Sequence, residues 1–439
     1  MATVNAVVYE HHKRADGTYN VKIKIFHQKK RAHIETAHYV SAKQLNCDLQ
    51  IKDKFILKIL EITLEDYRRS ISEFGERLEF FTAEQLRDYL QDKDKPIDFI
   101  EFCSKHIEFL RQSNRNGTAN NHRVVRNSLV DYFKKEQVLI TEVNAGMLKH
   151  YEKWLRCTRI MTRINQLGKE VNTTEAGMQN GGVYSHMRDL RTLFNEARRQ
   201  FNNEDLGIIR IKHYPFKAYK IGAPPKTKKR NISAEDILKI RDCHIEPGGR
   251  AELARDLFML SFYLCGINAV DLYNFEAYSL KDKRLEYNRS KTSGKRTDEA
   301  FISIKIVREA RPLLAKYVGK LHDQYSTYTG LDTALSKGMR QLRTILEISV
   351  PITFYWARHS FATIARNKCG ISKDDIAEAL NHVDREHRTT DIYIEKSWET
   401  IDNVQEAVLN YLGTIGKNDP KGNDITPSEK HRQFMRVVS

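Results

Sequence analysis

A proline pair followed by four cations, PPKTKKR at residues 224–230, divides the chain into two stretches, each with its own strand- and helix-type apolar patterns. Pro224-Pro225 stiffens the backbone, and Lys226, Lys228, Lys229 and Arg230 hold the segment in water, so no single core runs through it. Ser233 with Asp236 three residues on then reads as a capping box that opens a helix. A chain so divided must build more than one core, and 439 residues suffice for about two to four domains.

Before the strap, TVNAVVY (3–9), YNVKIKIFH (19–27) and AHIETAHYV (32–40) are β-branched runs separated by turn residues, which predicts a small antiparallel sheet. Helical stretches from about Lys52 to Phe74 and from Ala83 complete an N-terminal domain over 1–90. From 96 to 220 the apolar spacing is three and four, which predicts a domain of about four helices. Residues 158–182 are polar and glycine-bearing, and read as a long connection between the third and fourth of these helices. After a linker at 221–232, residues 233–415 alternate. A helix ends at Gly266, strands LEYNRS and EAFISIK flank a loop with Lys291 and Gly294, and helices follow near 306–322, 330–347, 357–368 and 373–381. Residues 416–439 read as a disordered tail. The expected fold class is multidomain, mainly α with small β-sheets.

Hydrophobic residues at 40% and charged residues at 30% fit folded chains and exclude collagen-like and wholly disordered ones. The longest mostly apolar run, Leu257 to Val270, is interrupted by Ser261, Gly266 and Asn268 and is too short to span a bilayer, so no membrane partner is expected. The first residues lack a signal-peptide pattern. Six cysteines are scattered without ligand spacing, which fits a reducing, cytoplasmic setting and neither a disulfide framework nor a zinc module. Lys plus Arg exceed Asp plus Glu by 73 − 57 = 16, a balance that favours a polyanion, with nucleic acid first among them.

Near the C-terminus stand TFYWARHSFAT (353–363), ALNH (379–382) and TTDIY (389–393). In this order and spacing they resemble the tyrosine recombinases, or phage-type integrases, whose catalytic domain carries H-x-x-R-H-x-x-A-T, then L-G-H, then T-T-x-x-Y. The resemblance spans about Leu253 to Glu395. It implies an N-terminal arm-type DNA-binding sheet, a helical, SAM-like core-binding domain and an α+β catalytic domain. By residue, Arg358 matches the second catalytic arginine, Lys291 the hairpin lysine, His382 the L-G-H histidine and Tyr393 the nucleophile.

The chemistry suits these residue types. A phenol with a pKa near 10 needs its proton removed and a phosphorus centre whose growing charge is already neutralised. Arg358 can clamp two phosphate oxygens, Lys291 can protonate the departing 5′ oxygen, and His382 can donate to phosphate and assist loss of the phenol proton. No metal or other cofactor is required.

Two positions depart from the pattern. Asn268 stands where the first catalytic arginine belongs, with Asp271 keeping the acidic position three further on, and Tyr355 replaces the first histidine of H-x-x-R. Both replacements resemble integrases of Bacteroides-type mobile elements. Tyr355 either bonds phosphate or packs beside Trp356. His382 to Tyr393 is eleven residues, two more than the commonest family spacing, which implies a bulge over DREHR. Either the Asn268 amide, with bound water, meets the phosphate itself, or another arginine substitutes, for which there are two candidates. Arg289 lies two residues before Lys291 and so on the same face of an extended strand. Arg255, near the start of the helix that ends at Gly266, lies roughly 16 Å from that end at about 1.5 Å per residue.

The resemblance implies a nucleoid-associated enzyme acting on double-stranded DNA as a homotetramer, with accessory DNA-bending or directionality proteins. The helix around Trp398 to Leu412 would pack on a neighbouring protomer. The outcome would be integration, excision or inversion of a mobile element. One rival reading is a catalytically impaired relative that binds DNA as a regulator. A second is a type IB topoisomerase, against which the domains before the strap speak.

Overall fold

Alternation through YNVKIKIFH places Tyr19, Val21, Ile23 and Ile25 on the buried face of β2 (Thr18–His27) and Asn20, Lys22 and Lys24 on the other. β2 pairs antiparallel with β1 (Thr3–Val7) and β3 (Lys30–Ser41) in a three-stranded sheet of order β1-β2-β3. The computed structural model describes residues 2–164, 167–226, 229–275, 283–296, 298–382 and 397–418. The chain divides into two units, residues 1–226 and 227–439.

In the first unit, α1 (Lys54–Glu73) starts where Asp53 accepts from the backbone N–H groups of Phe55 and Ile56. α2 (Ala83–Asp92) starts at a Thr82–Gln85 capping box. Their apolar faces supply Leu64, Ile71, Leu86 and Leu90 to a core with Val4, Ile23, Ile25 and Ile34 of the sheet. Helices α3 (Phe99–Gln112), α4 (Asn116–Phe133), α5 (Ala145–Arg156) and α6 (Asn180–Phe201) enclose a separate core around Phe99, Leu129, Leu148, Tyr151, Leu190 and Phe194.

The stretch expected to be a plain connection between α5 and α6 instead forms a hairpin, β4 (Arg159–Ile164) paired with β5 (Glu170–Glu175). Every β5 side chain is exposed, and Ile160 and Ile164 of β4 are 72% and 73% exposed. A ribbon with no layer behind it needs no apolar face, which is why its sequence reads as loop. A two-residue pair, β6 (Asn202–Asn203) with β7 (Ile208–Ile209), closes the unit, and the turn between them gives Leu206 to the N-terminal core.

Buried His186 lies 2.8 Å through Nε2 from the Tyr151 hydroxyl, which donates to Ser128 Oγ at 2.7 Å. Burial lowers its pKa from 6.5 to about 4. The unfolded chain therefore takes up a proton that the folded one refuses as pH falls from 6.5 to 4. Stability should drop across that window by up to about 3 kcal/mol from this group. Denaturant melts at pH 7 and pH 4.5 would show the loss, and His186→Gln should reduce it.

The second unit is built round α8 (Arg250–Tyr263), buried on nearly all sides. α7 (Ala234–Asp242) precedes it, with Ser233 Oγ accepting from the Asp236 N–H as half of the expected capping box. α8 packs closely on α12 (Tyr328–Ile345) because Gly338 lets the backbones meet. A Cβ there would stand 2.1 Å from the Arg250 carbonyl oxygen. The rest comprises α9 (Ala269–Tyr273), the antiparallel pair β8 (Arg284–Asn288) and β9 (Phe301–Lys305), α10 (Arg311–Tyr317), α11 (Leu321–Gln324), α13 (Trp356–Asn367), α14 (Lys373–Ala379) and α15 (Trp398–Asn418). The single helix expected near 306–322 is thus two short ones, interrupted around Gly319, which adopts φ 74°. Among the described residues no helix is long and apolar enough to cross a membrane.

α15 corrects two expectations. It runs to Asn418, three residues into the predicted tail, whose remainder lies outside the described residues. Its stripe Ile401, Val404, Val408 and Leu412 is buried in its own unit's core rather than offered to a neighbour. The stripe recurs at three- and four-residue spacing and meets α7, α13, α14 and β9 of the same chain. Polar locks reinforce it. Gln405 Nε2 donates to the carbonyls of Tyr263 at 2.7 Å and Lys305 at 3.1 Å, and Arg284 forks onto Asp402 at 2.6 and 3.0 Å.

Candidate active site

The turn leaving α8 is the foundation of the site. Cys265 and Gly266 both take left-handed conformations, φ 55° and 76°. A Cβ on Gly266 would fall 2.6 Å from Arg358 Cγ and 2.8 Å from its Cα. Glycine is required twice over, for its φ and for its close approach to the next helix. Arg358, in the first turn of α13, is 6% exposed and donates through Nη1 to the Gly266 carbonyl at 2.9 Å. Its Nη2 donates to the Leu380 carbonyl and, at 3.0 Å, to His382 Nε2. Arginine only donates, so Nε2 is the accepting nitrogen and the neutral imidazole carries its proton on Nδ1. Burial, with Arg358, Arg289 and Lys291 nearby, lowers the His382 pKa to about 4.

Arg289, just past the end of β8, is also 6% exposed. Its backbone N–H donates to the Ala300 carbonyl at 3.1 Å and its Nη1 to the Asn381 carbonyl at 3.2 Å. Burial and the neighbouring Arg289 charge lower the Arg358 pKa to about 10, which leaves it cationic at neutral pH. Two buried guanidinium groups therefore stand beside a neutral imidazole that reaches the surface. Burying like charges together is costly; the buried Asp271 carboxylate offsets part of that cost, and a phosphate group would offset more.

Lys291 is exposed on the loop after Arg289, and its charge is felt at His382. Asn268 caps α9 in position, but its Nδ2 turns back to Asp271 Oδ2 at 3.3 Å. Buried Asp271 accepts through Oδ1 from the Ser290 N–H at 2.9 Å, tying α9 to the loop beside Lys291. Tyr355 is 40% exposed and meets His359 edge-on at 4.9 Å, while neighbouring Trp356 is buried. The phenol is near enough to Arg358 to favour its charge.

Arg255 is not brought to this cluster. Its Nε donates to Asp256 Oδ1 at 2.8 Å and its Nη1 to the Cys243 carbonyl at 3.1 Å, so its guanidinium braces α8. Lys226, Lys229 and Arg230 are exposed, and Arg230 acts electrostatically on His359. Lys228 and Tyr393 lie outside the described residues. Among the described residues, no three His, Cys, Asp or Glu side chains come together as metal ligands.

Sequence reasoning took Gly266 for a helix end and passed over Asn381 and Arg296, which bond one another. Gly266→Ala should displace Arg358, since the clash involves backbone as well as side chain. A shift of about 1 Å can cost roughly a hundredfold in rate, and single-turnover DNA cleavage would measure it.

Residues 98–221 match the family described as Phage integrase SAM-like domain. No curated protein matches the chain. Among solved structures, the chain is similar to the Tn1549 transposon integrase in complex with transposon right-end DNA, at 10% identity and TM-score 0.42, over 69% of this chain and 97% of that one. It is also similar to a lambda integrase dimer bound to a COC′ core site, at 14% identity and TM-score 0.44, over 89% of this chain and 96% of that one.

Proposed function

We propose that this protein is a site-specific DNA recombinase that cuts and rejoins double-stranded DNA through a tyrosine. The observation that carries the reading is the pair of buried arginines, Arg358 and Arg289, with His382 bonded to Arg358 at the surface beside exposed Lys291. The integrase-type domain at 98–221 supports it.

In this mechanism the Tyr393 phenol loses its proton to solvent water, its oxygen bonds to phosphorus and the P–O5′ bond breaks. Lys291 gives the departing 5′ oxygen its proton, leaving a 3′-phosphotyrosyl link. A 5′-hydroxyl from a partner duplex then reverses the step, so bond energy is conserved and no ATP is consumed. Arg358 has three of its five N–H groups engaged by Gly266, Leu380 and His382, and the others remain for phosphate oxygens. His382, held neutral, offers Nδ1–H to phosphate. With a pKa near 4 it is a weak proton acceptor, so the field of the two arginines carries most of the phenol's activation. Arg289 supplies the charge that Asn268 lacks.

DNA would also be held away from the chemistry. The outer face of the N-terminal sheet carries Lys22, Lys24 and Arg31 around His33, whose pKa is lowered by burial and by these three cations. Replacing Lys226, Lys228, Lys229 and Arg230 by Gln should weaken binding to every sequence alike. It should flatten the salt slope by up to about 0.9 for each phosphate no longer neutralised. An unchanged slope would show a strap that touches no phosphate.

A DNA-binding relative without catalysis is the second reading, favoured by the Asn268 amide being turned onto Asp271. Strand exchange between two duplexes carrying the DNA that flanks the gene separates the possibilities. A recombinase exchanges strands, a topoisomerase only relaxes supercoils, and a regulator binds without cutting.

A further inference from the structure

In ALNH, Asn381 stands where the resembled motif has glycine, and it adopts φ 50°. Asparagine tolerates this left-handed conformation better than other side chains, yet glycine would serve the backbone as well. What asparagine adds is two side-chain bonds. Asn381, 4% exposed, donates through Nδ2 to the Ala300 carbonyl at 2.8 Å and accepts through Oδ1 from Arg296 Nη1 at 2.9 Å.

Both partners belong to the connection between β8 and β9, which carries Lys291. The same Ala300 carbonyl receives the Arg289 N–H, and the Arg289 carbonyl receives the N–H groups of Thr292 and Ser293 at 3.1 and 3.0 Å. This backbone ring closes around Lys291. On the other side, the residue after Asn381 is His382, fixed on Arg358. Asn381 thus joins the lysine-bearing connection to the Arg358–His382 pair.

Resting on the recombinase reading, we propose that Asn381 is a positioning residue that sets Lys291 against the leaving 5′ oxygen. Its side chain touches no reacting atom. By tying Ala300 and Arg296 to the turn before His382, it fixes the path of the connection from which Lys291 reaches the phosphate.

The test uses the proton. When P–O5′ breaks, the electron pair goes to O5′ and an ammonium proton must follow. If sulfur replaces that bridging oxygen, a thiolate with a conjugate acid of pKa about 8.5 leaves without one. Asn381→Gly keeps the backbone conformation and the main-chain carbonyl that accepts from Arg289, and deletes only the side-chain bonds. In single-turnover cleavage by the full-length chain, Asn381→Gly should slow the oxygen substrate by about a hundredfold and the sulfur substrate by less than about threefold, and Lys291→Ala should show the same pattern.

Equal slowing on both substrates would overturn the proposal, because it would mark a general loss of site structure. Unimpaired cleavage of the oxygen substrate by Asn381→Gly would overturn it too. A wild-type protein inert on both substrates would remove the recombinase reading and this inference with it, whereas active wild type beside an unimpaired Asn381→Gly removes the inference alone.

Discussion

Arg358→Ala should slow DNA cleavage by roughly two to three orders of magnitude, equivalent to about 3 to 4 kcal/mol of transition-state stabilisation. The guanidinium is buried and anchored on both sides by backbone, so it meets the phosphate already oriented. Removing it also strands the Gly266 and Leu380 carbonyls, at a cost of about 1 to 3 kcal/mol in stability. Cleavage should therefore be measured beside a thermal melt, on a nicked duplex that traps the cut state. Arg358→Lys should recover little, because one ammonium cannot span two carbonyls and still face phosphate. Retained DNA affinity alongside abolished cleavage would place the defect in the chemical step.

Arg289→Ala should be comparably defective if Arg289 replaces the arginine missing at 268. It is buried, its charge reaches both Arg358 and His382, and it precedes Lys291 by two residues. Arg255→Ala should leave cleavage chemistry intact and show its effect in stability, because it removes the ion pair with Asp256. In the Arg289→Ala background, Asn268→Arg should restore part of the rate, since it returns a guanidinium to the end of α8. Normal cleavage by Arg289→Ala would end the substitution idea.

Much of the fold was legible because its signals are local. The period-two pattern of YNVKIKIFH and the three- and four-residue spacing of α3 to α6 are properties of short windows, and both produced the expected elements. The β4–β5 hairpin escaped because β5 is exposed along its whole length and so carries no alternating apolar face. The packing of α15 on its own unit escaped for a different reason. A stripe such as Ile401, Val404, Val408 and Leu412 states that something covers it without saying which chain does.

The site divides in the same way. Motif order pointed to Arg358, His382 and Lys291, and these come together. The choice between Arg289 and Arg255 needed three dimensions, because it turns on whether each guanidinium is already spent on a carboxylate. Gly266 and Asn381 were visible as letters, but their work depends on a positive φ and on partners about ninety residues away for Gly266 and eighty for Asn381.

The most direct test of the account is to incubate the protein with a suicide duplex, digest the covalent complex and locate the nucleotide-bearing peptide by mass spectrometry. The account predicts a phosphodiester from a 3′ end to Tyr393, and no adduct from Tyr393→Phe although that variant still binds the duplex. An adduct on another residue, or one that persists in Tyr393→Phe, would contradict it.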